Sequence, residues 1–247
     1  MTAIVGLFCK DGVVIGADSS ATFVAGGMRT IEQPTDKIRI IGDQVIVAGT
    51  GAIGLTQRLC GLAEKAWQDK AFKGTPVEIG KMLCLHAIQD FSSTGVKQGE
   101  FGAMIAFPVQ HKPELCEFAV ADFQPELKTD KLWYCSMGSG QLITDPFLGL
   151  FREVFWHDGP PSLQDGMFAV TWVLDQAIKL NPGGVNGPIQ IAILGKTDPT
   201  KTKARFLSES ELGQHRENVS AAKAHLRRYR DELQPKNSSD VPDVPKP

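Results

Sequence analysis

The sequence lacks the features that mark membrane proteins, secreted proteins and proteins that bind polyanions. No apolar run approaches the ~18–20 residues that a membrane span needs, and no basic segment precedes the first apolar run as in a signal peptide. The 26 basic and 28 acidic residues nearly cancel, leaving a net charge of −2, so no broad positive field exists to attract nucleic acid or an anionic membrane. These absences favour a soluble globular protein that binds neither nucleic acid nor membrane.

The cysteines also lack the pattern of a metal site or a disulfide framework. There are five, an odd number, and no two of them form a C-x-x-C pair. Four of them lie in apolar runs, which predicts buried, reduced thiols and a cytoplasmic location. A structural zinc site is not expected.

The predicted strands and helices come in groups along the sequence. Apolar runs at 3–9 and 12–18 flank Asp11-Gly12 and predict a hairpin, and 37–41 and 45–48 predict a second one. Further strands are predicted at 101–107, 115–121, 132–137, 189–194 and 204–207, and helices at 53–71, 76–92, 141–156 and 162–180. Strands that come in groups, followed by helices in pairs, favour antiparallel sheets covered by helical layers, an α+β fold.

The carboxyl-terminal segment differs from the rest. From Leu212 to Leu233, apolar residues recur at alternating spacings of three and four, which predicts an amphipathic helix with a narrow apolar stripe. The stripe could dock on its own domain or on a neighbouring subunit. We therefore divide the chain into a domain at 2–207, a helix at 208–234 and a polar, Pro-rich, disordered tail at 235–247.

A glycine motif follows the second predicted hairpin. Gly49, Gly51 and Gly54 match G-x-G-x-x-G between a strand and a helix, the local setting of a dinucleotide-binding turn. That fold also needs a strand after the helix, ending near an acidic residue, whereas a second helix follows here. We expect these glycines to serve another purpose.

Thr2 is a candidate nucleophile. A small residue after Met1 favours removal of the initiator methionine, which would leave a terminal Thr with a hydroxyl and an α-amine of pKa roughly 7.7–8.0. Such an amine can act as general base for the hydroxyl of its own residue. Asp18 ends one predicted strand and Lys37 begins another, and a lysine held by a carboxylate near the amine would lower the pKa of the amine and hydroxyl.

These residues resemble the amino-terminal part of the proteasome β-type subunits, N-terminal-nucleophile hydrolases that include bacterial HslV. The family has a leading Thr, an Asp sixteen residues later in an (A/G)-D-S-x-A-T block, a Lys before a strand, and Ala-Gly after the next strand. Here Thr2 leads, residues 16–22 read Gly-Ala-Asp-Ser-Ser-Ala-Thr, Lys37 precedes Ile-Arg-Ile, and Ala48 precedes Gly49. Gly138-Ser139-Gly140 resembles the family's Gly-Ser-Gly before its third helix. The resemblance covers about residues 2–207.

The resemblance implies a four-layer αββα sandwich, the N-terminal-nucleophile hydrolase fold, with two antiparallel sheets and here a carboxyl-terminal helical extension. It implies that Thr2 is the nucleophile, that Lys37 tunes its hydroxyl, that Asp18 orients Lys37, that Ser139 supports the amine, and that Gly49 N–H faces the oxyanion. The residues it implies for the substrate pocket are small to medium and uncharged, which predicts a preference for apolar side chains: Ala21, Thr22, Thr35, Val47 and Gly51.

One segment departs from the family pattern. The family has Asp-x-x-Ser-Gly-Gly after its fourth helix, where this chain has Asn-Pro-Gly-Gly-Val-Asn-Gly-Pro at 181–188, with Asn181 and Asn186 as candidate substitutes. This pattern and the long final helix resemble the divergent bacterial members, Anbu and the β-proteobacterial proteasome homologue, more closely the latter.

The function implied is that of a threonine-type endopeptidase that hydrolyses polypeptides through an acyl-enzyme on Thr2, with neither metal nor organic cofactor. Relatives enclose their active sites in rings, so a homo-oligomeric ring, single or double, is expected, and the resemblance also allows an AAA+ unfoldase as a partner. Two other classes stay open: an amidohydrolase acting on small amides, and a ring-forming scaffold with weak catalysis, for which the altered 181–188 segment argues.

Overall fold

The computed structural model describes residues 2–25, 28–97, 99–180, 184–198 and 200–233. Its strands, in chain order, are β1 (Ile4–Cys9), β2 (Gly12–Ala17), β3 (Ser20–Ala25), β4 (Met28–Pro34), β5 (Ile38–Ile41), β6 (Val45–Gly51), β7 (Phe101–Val109), β8 (Lys112–Phe118), β9 (Pro125–Leu127), β10 (Tyr134–Met137), β11 (Gln190–Asp198) and β12 (Lys201–Phe206). The helices are α1 (Ile53–Gln68), α2 (Pro76–Ser92), α3 (Gln141–Phe155), α4 (Leu163–Leu180) and α5 (Glu209–Leu233). None of these helices combines the length and apolarity that crossing a membrane requires.

The strands form two five-stranded antiparallel sheets and a separate hairpin. The first sheet has the order β10-β1-β2-β11-β12 and the second β5-β6-β7-β8-β9, while among the described residues β3 pairs with β4 alone. Because β1 and β2 are buried along nearly their whole length, their sequences are continuously apolar rather than alternating.

Three apolar cores separate four layers, which confirms the expected αββα sandwich. One core lies between the first sheet and α3 and α4, with Trp172 and Val14 among its members. A second lies between the second sheet and α1 and α2, and a third, which includes Ile15 and Met104, lies between the two sheets. Stacking both inner sheet faces against each other buries them fully, since Ile15 and Met104 are both 0% exposed.

The helix starts follow local chemistry. The Thr75 hydroxyl accepts the Glu78 N–H at 3.3 Å, and the Glu78 carboxylate accepts the Thr75 N–H at 2.7 Å, a reciprocal capping box ahead of Pro76. This start of α2 is the one that the sequence predicts.

Three strands were not predicted. The sequence predicts no strand between the runs at 12–18 and 37–41, where β3 and β4 form a hairpin, and none at β9, which has three residues. The hairpin carries exposed Phe23 and Ile31, so it lacks the buried apolar run that a strand prediction relies on. Strand β8 also begins earlier than expected, at Lys112. Pro113 fits there because, among the described residues, the pairing of β9 with Cys116–Phe118 stops short of it, so β8 is an edge strand at that point.

The final helix docks on its own domain in its first half. Leu212, His215 and Val219 are buried, and α5 packs against α4. Further along, Leu226 and Tyr229 are 59% and 61% exposed. The division at 207/208 stays a prediction, and the tail at 235–247 lies outside the described residues.

Candidate functional site

Asp18 directly follows β2, at the point where the end of β2 lies beside the start of β1. Because Ile4 pairs with Ala17 across β1 and β2, the flanking residues Ala3 and Asp18 are neighbours. Ala3 N–H donates to Asp18 Oδ1 at 2.8 Å, and Asp18 N–H donates to Ala3 O at 3.2 Å. The start of β1, and with it Thr2, is therefore fixed to the end of β2.

Lys37 reaches the same carboxylate from the second sheet. It directly precedes β5, and its Nζ donates to Asp18 Oδ1 at 2.6 Å. Asp18 is fully buried and Lys37 is 8% exposed. Burial lowers the pKa of Lys37, while the charge and hydrogen bond of Asp18 oppose that shift. Because the Lys37 ammonium is buried and paired, its charge stays at one position, whereas the charge of a solvated lysine moves with the side chain.

Thr2 is held by the turn between β10 and α3. Its N–H donates to Ser139 Oγ at 3.1 Å, and its carbonyl accepts the Gly140 N–H at 3.0 Å. Gly138 has a φ of +92°, and a Cβ at that position would lie 2.3 Å from Thr2 O. Glycine is required at 138 both by the backbone conformation and by the close approach of Thr2.

An open cavity of about 810 Å³ lies in front of these groups. Of the ten residues predicted for the site, seven line it: Thr2, Ala21, Thr22, Thr35, Lys37, Gly49 and Gly51. Asp18 and Ser139 lie behind the wall, where they contact Lys37 and Thr2 respectively. The Oγ1 of Thr22 is buried with no hydrogen-bond partner in the described part of the chain.

Val47 is the predicted pocket residue that the structure does not bring to the cavity wall. It is fully buried and packs in the core beneath α1 and α2, which also contains Leu55 and Leu59. Successive side chains of a strand point to opposite faces, and Val47 is on the face of β6 that meets the helices. It can influence the cavity only through the residues that cover it.

Gly49 is the first residue of β6 that β5 leaves uncovered, since the pairing ends at Ile38 opposite Ala48. A Cβ on Gly49 would lie 2.6 Å from Thr56 Oγ1, so glycine also allows the close approach of α1. Gly51 has a φ of +106°, which disfavours any other residue. Close packing against α1 and a positive φ therefore explain two of the glycines in the G-x-G-x-x-G match. Strand β6 pairs antiparallel on both sides, unlike the parallel strands of a dinucleotide-binding fold.

A hydrogen-bonded group at the rim was only partly anticipated. Asn186 N–H donates to Asp18 Oδ2 at 3.4 Å, and its side-chain amide donates to Glu32 Oε2 at 2.5 Å. Ser20 Oγ donates to the same Glu32 oxygen at 3.2 Å. Asn186 was one of two candidate substitutes for the altered segment, and Asn181 lies outside the described residues. Glu32 gave no signal in the sequence, because it lies in a polar hairpin segment with no motif around it.

The cavity also contains charged residues that the sequence did not assign to it. Asp36 and Arg39 line it beside the apolar Phe23 and Ile53. Arg39 also lies 3.4 Å from Glu64 on α1. Within the described ranges, no group of three or more His, Cys, Asp or Glu side chains is arranged to hold a metal ion.

Comparisons with known proteins bear on the family and the fold of the chain. The family model for the proteasome subunit matches residues 2–149, more than half of the chain. No curated protein matches.

Three solved structures share the fold. A Gly-1 mutant of Anbu from Hyphomicrobium sp. strain MC1 has a TM-score of 0.73 at 14% identity, covering 96% of this chain and 100% of its own. Anbu from Pseudomonas aeruginosa, described as a helical assembly, has a TM-score of 0.70 at 13% identity, covering 96% and 99%. Anbu from Yersinia bercovieri, described as an ancestral beta-subunit, has a TM-score of 0.68 at 14% identity, covering 96% and 100%. At this identity the likeness concerns the fold alone, so it does not distinguish between the two kinds of divergent bacterial member.

Proposed function

Because the chain belongs to the proteasome subunit family, we propose that it is a threonine-type endopeptidase that cleaves polypeptides inside a ring of its own copies. The observation that carries the proposal is the convergence of Thr2, Asp18, Lys37 and Ser139 from four separate segments at one open cavity. A purely structural role does not explain why a buried lysine–aspartate pair lies beside Thr2. Buried ion pairs contribute little net stability, so their presence in a cavity wall favours a functional role.

The proposed nucleophile is the Thr2 hydroxyl. Once Met1 is removed, the Thr2 nitrogen becomes an α-amine, and Ser139 Oγ, 3.1 Å away, holds it in place. The amine takes the hydroxyl proton as the oxygen attacks the substrate carbonyl, and it returns that proton to the leaving amine. Water then attacks the resulting ester by the same route in reverse, which frees Thr2.

Lys37 acts as an electrostatic partner in this scheme. Its positive charge lies against the same cavity as Thr2 and disfavours the protonated amine, so the base is neutral at a lower pH than an ordinary amine. Asp18 keeps the ammonium in place. Gly49 N–H, beyond the end of β5, is the proposed donor to the oxyanion of the tetrahedral intermediate.

We propose that the cavity takes an uncharged substrate side chain of medium size. Ala21, Gly51 and Ile53 leave space and present apolar surface, while Asp36 and Arg39 carry opposite charges that do not favour one sign. We propose apolar residues before the scissile bond, with Thr22 as part of the wall that contacts them.

We further propose that copies of the chain enclose these sites in a single or double ring in the cytoplasm, with an AAA+ unfoldase as the partner that supplies unfolded substrate. The support is family membership and the assembly named for the Pseudomonas aeruginosa relative. The exposed apolar residues on the outer half of α5 are available for contacts between copies.

The test compares turnover of three substrate classes by the full chain. Fluorogenic peptides ending in leucine, the same peptides ending in lysine, and single amino-acid amides are incubated with the wild-type protein, Thr2→Ala and Thr2→Ser. We expect cleavage after leucine by the wild type and by Thr2→Ser, and none by Thr2→Ala. If the protein turned over only the small amides, the result would contradict the proposal and indicate an amidohydrolase. If the protein formed ring-sized particles but showed no turnover that depends on Thr2, the result would contradict the proposal and indicate a ring-forming scaffold.

A further inference from the structure

A second cavity lies between α4 and α5, in the helical layer on the other side of the molecule from α1. It has a volume of about 330 Å³, within the range of small-ligand sites. Three cations on α5, Arg216, Lys223 and Arg227, recur at spacings of seven and four and so share one face of that helix. Asp175 and Lys179, one turn apart on α4, form the opposite wall.

The charges of this cavity do not balance. Four cationic side chains surround one carboxylate, which leaves a formal charge of +3. Asp175 Oδ2 already accepts from Lys179 Nζ at 2.7 Å and from Lys223 Nζ at 3.0 Å. Within the described part of the chain, the guanidinium groups of Arg216 and Arg227 have neither a hydrogen bond nor an ion pair.

Lys223 is held in place, while the guanidinium groups of the two arginines remain as donors for a ligand. Lys223 is 25% exposed and its Nζ lies 5.6 Å from the centre of the Trp172 ring, a cation–π contact that fixes it toward the cavity. The hydroxyls of Ser220 and Thr171 donate to carbonyl groups one turn earlier on their own helices, at 3.0 and 2.8 Å. Their protons are therefore not offered to the cavity.

We propose that this cavity binds an anion that carries two or more negative charges on phosphoryl oxygens, such as a phosphate monoester or a diphosphate. A carboxylate with one charge would leave most of the positive charge uncompensated, whereas a phosphate monoester carries about −1.5 to −2 at neutral pH. The planar fork of each arginine matches a pair of phosphoryl oxygens. A bound anion would contact both helices and so hold α5 against α4.

The binding test uses the full chain and two probes, inorganic phosphate and inorganic diphosphate, titrated by calorimetry at a constant ionic strength of about 0.15 M. We expect one saturable site per chain, with diphosphate binding more tightly than phosphate. Since a ligand that binds only the folded state stabilises it, diphosphate should also raise the melting temperature, while chloride at equal ionic strength should not.

Three variants separate this site from a general charge effect. R216Q/R227Q should weaken diphosphate binding about tenfold or more. The matched control R228Q/R230Q removes the same charge from the same helix outside the cavity and should bind as the wild type does. Asp175→Asn removes the one competing negative charge and should bind more tightly. Absence of saturable binding, equal weakening in both double variants, or weaker binding by Asp175→Asn would each overturn the proposal.

Discussion

The ammonium of Lys37 donates a 2.6 Å hydrogen bond to Asp18 Oδ1, and the same oxygen accepts the N–H of Ala3 at 2.8 Å. One buried carboxylate therefore fixes both a lysine from the second sheet and the residue that follows the candidate nucleophile in the first. Lys37 and Thr2 cannot change position independently. The arrangement joins the two sheets at the point where the cavity opens.

Asp18→Asn should impair both stability and turnover. An amide oxygen can still accept the Ala3 N–H, but it removes the carboxylate charge that lies 2.6 Å from the buried Lys37 ammonium. Breaking a buried pair in this way typically costs about 3–5 kcal/mol, and we expect turnover to fall by about 100-fold or more as Lys37 moves. Urea unfolding and peptide cleavage are the measurements. Asp231→Asn, which breaks the exposed pair with Arg230, is the control and should cost less than about 1 kcal/mol with unchanged turnover. Equal effects of the two changes would contradict the account.

Lys37→Met should change the pH profile as well as the rate. Methionine retains most of the volume and removes the charge, so the α-amine of Thr2 loses the group that disfavours its protonated form. The amine then titrates at a higher pH, and the acid limb of kcat/KM should move upward, to about 7.7–8.0 or above. The rate at neutral pH should fall about 100-fold. A lower rate with an unmoved acid limb would assign Lys37 a merely structural role.

Gly138→Ala should abolish turnover at a modest cost in stability. The new methyl group would lie 2.3 Å from the Thr2 carbonyl oxygen, so Thr2 must move. Gly95→Ala is a matched control, because Gly95 has a similar φ of +78° with no atom within 4 Å of the added methyl. Both changes should cost about 1–3 kcal/mol for the backbone conformation. Turnover should fall only in Gly138→Ala, and its retention there would show that Thr2 does not need this position.

We expect His215 to make the stability of the α5–α4 packing depend on pH. It is 3% exposed, its Nδ1 has no hydrogen-bond partner among the described residues, and burial lowers its pKa although Glu211 opposes the shift. A base whose pKa is lower in the folded state binds fewer protons there. Its stabilising effect is therefore complete above the ordinary pKa of 6.5 and is lost as the pH falls from 6.5 through the folded-state value.

His215→Leu should remove this loss. The wild type should lose at most about 1.4 kcal/mol per pH unit from this single proton below pH 6.5, and the variant should not. Thermal unfolding between pH 7.5 and 5 measures the difference. His225→Leu, at an exposed position on the same helix, should retain the wild-type dependence. If both variants behave like the wild type, His215 does not control the pH dependence.

Much of the site could be predicted because its residues stand at strand ends in a fixed order. Thr2, Asp18 and Lys37 each border an apolar run, and strand ends of antiparallel sheets can be located from such runs. The β3–β4 hairpin was missed because its side chains are largely exposed and show no buried pattern. Val47 lies away from the cavity wall for a different reason: its position in the sequence is beside the cavity, but its side chain points to the helices. Pairwise details such as the Asn186–Glu32 hydrogen bond depend on long-range contacts that no local pattern encodes.

The central claim is that Thr2, freed at its nitrogen, is the nucleophile. The most direct measurement is the intact mass of the chain before and after incubation with a peptide epoxyketone, which forms a stable ring only with a hydroxyl and an adjacent free amine. We expect a mass that lacks Met1, one adduct per chain in the wild type, and none in Thr2→Ala. Retention of Met1 in the natural host, or an adduct that persists in Thr2→Ala, would contradict the account.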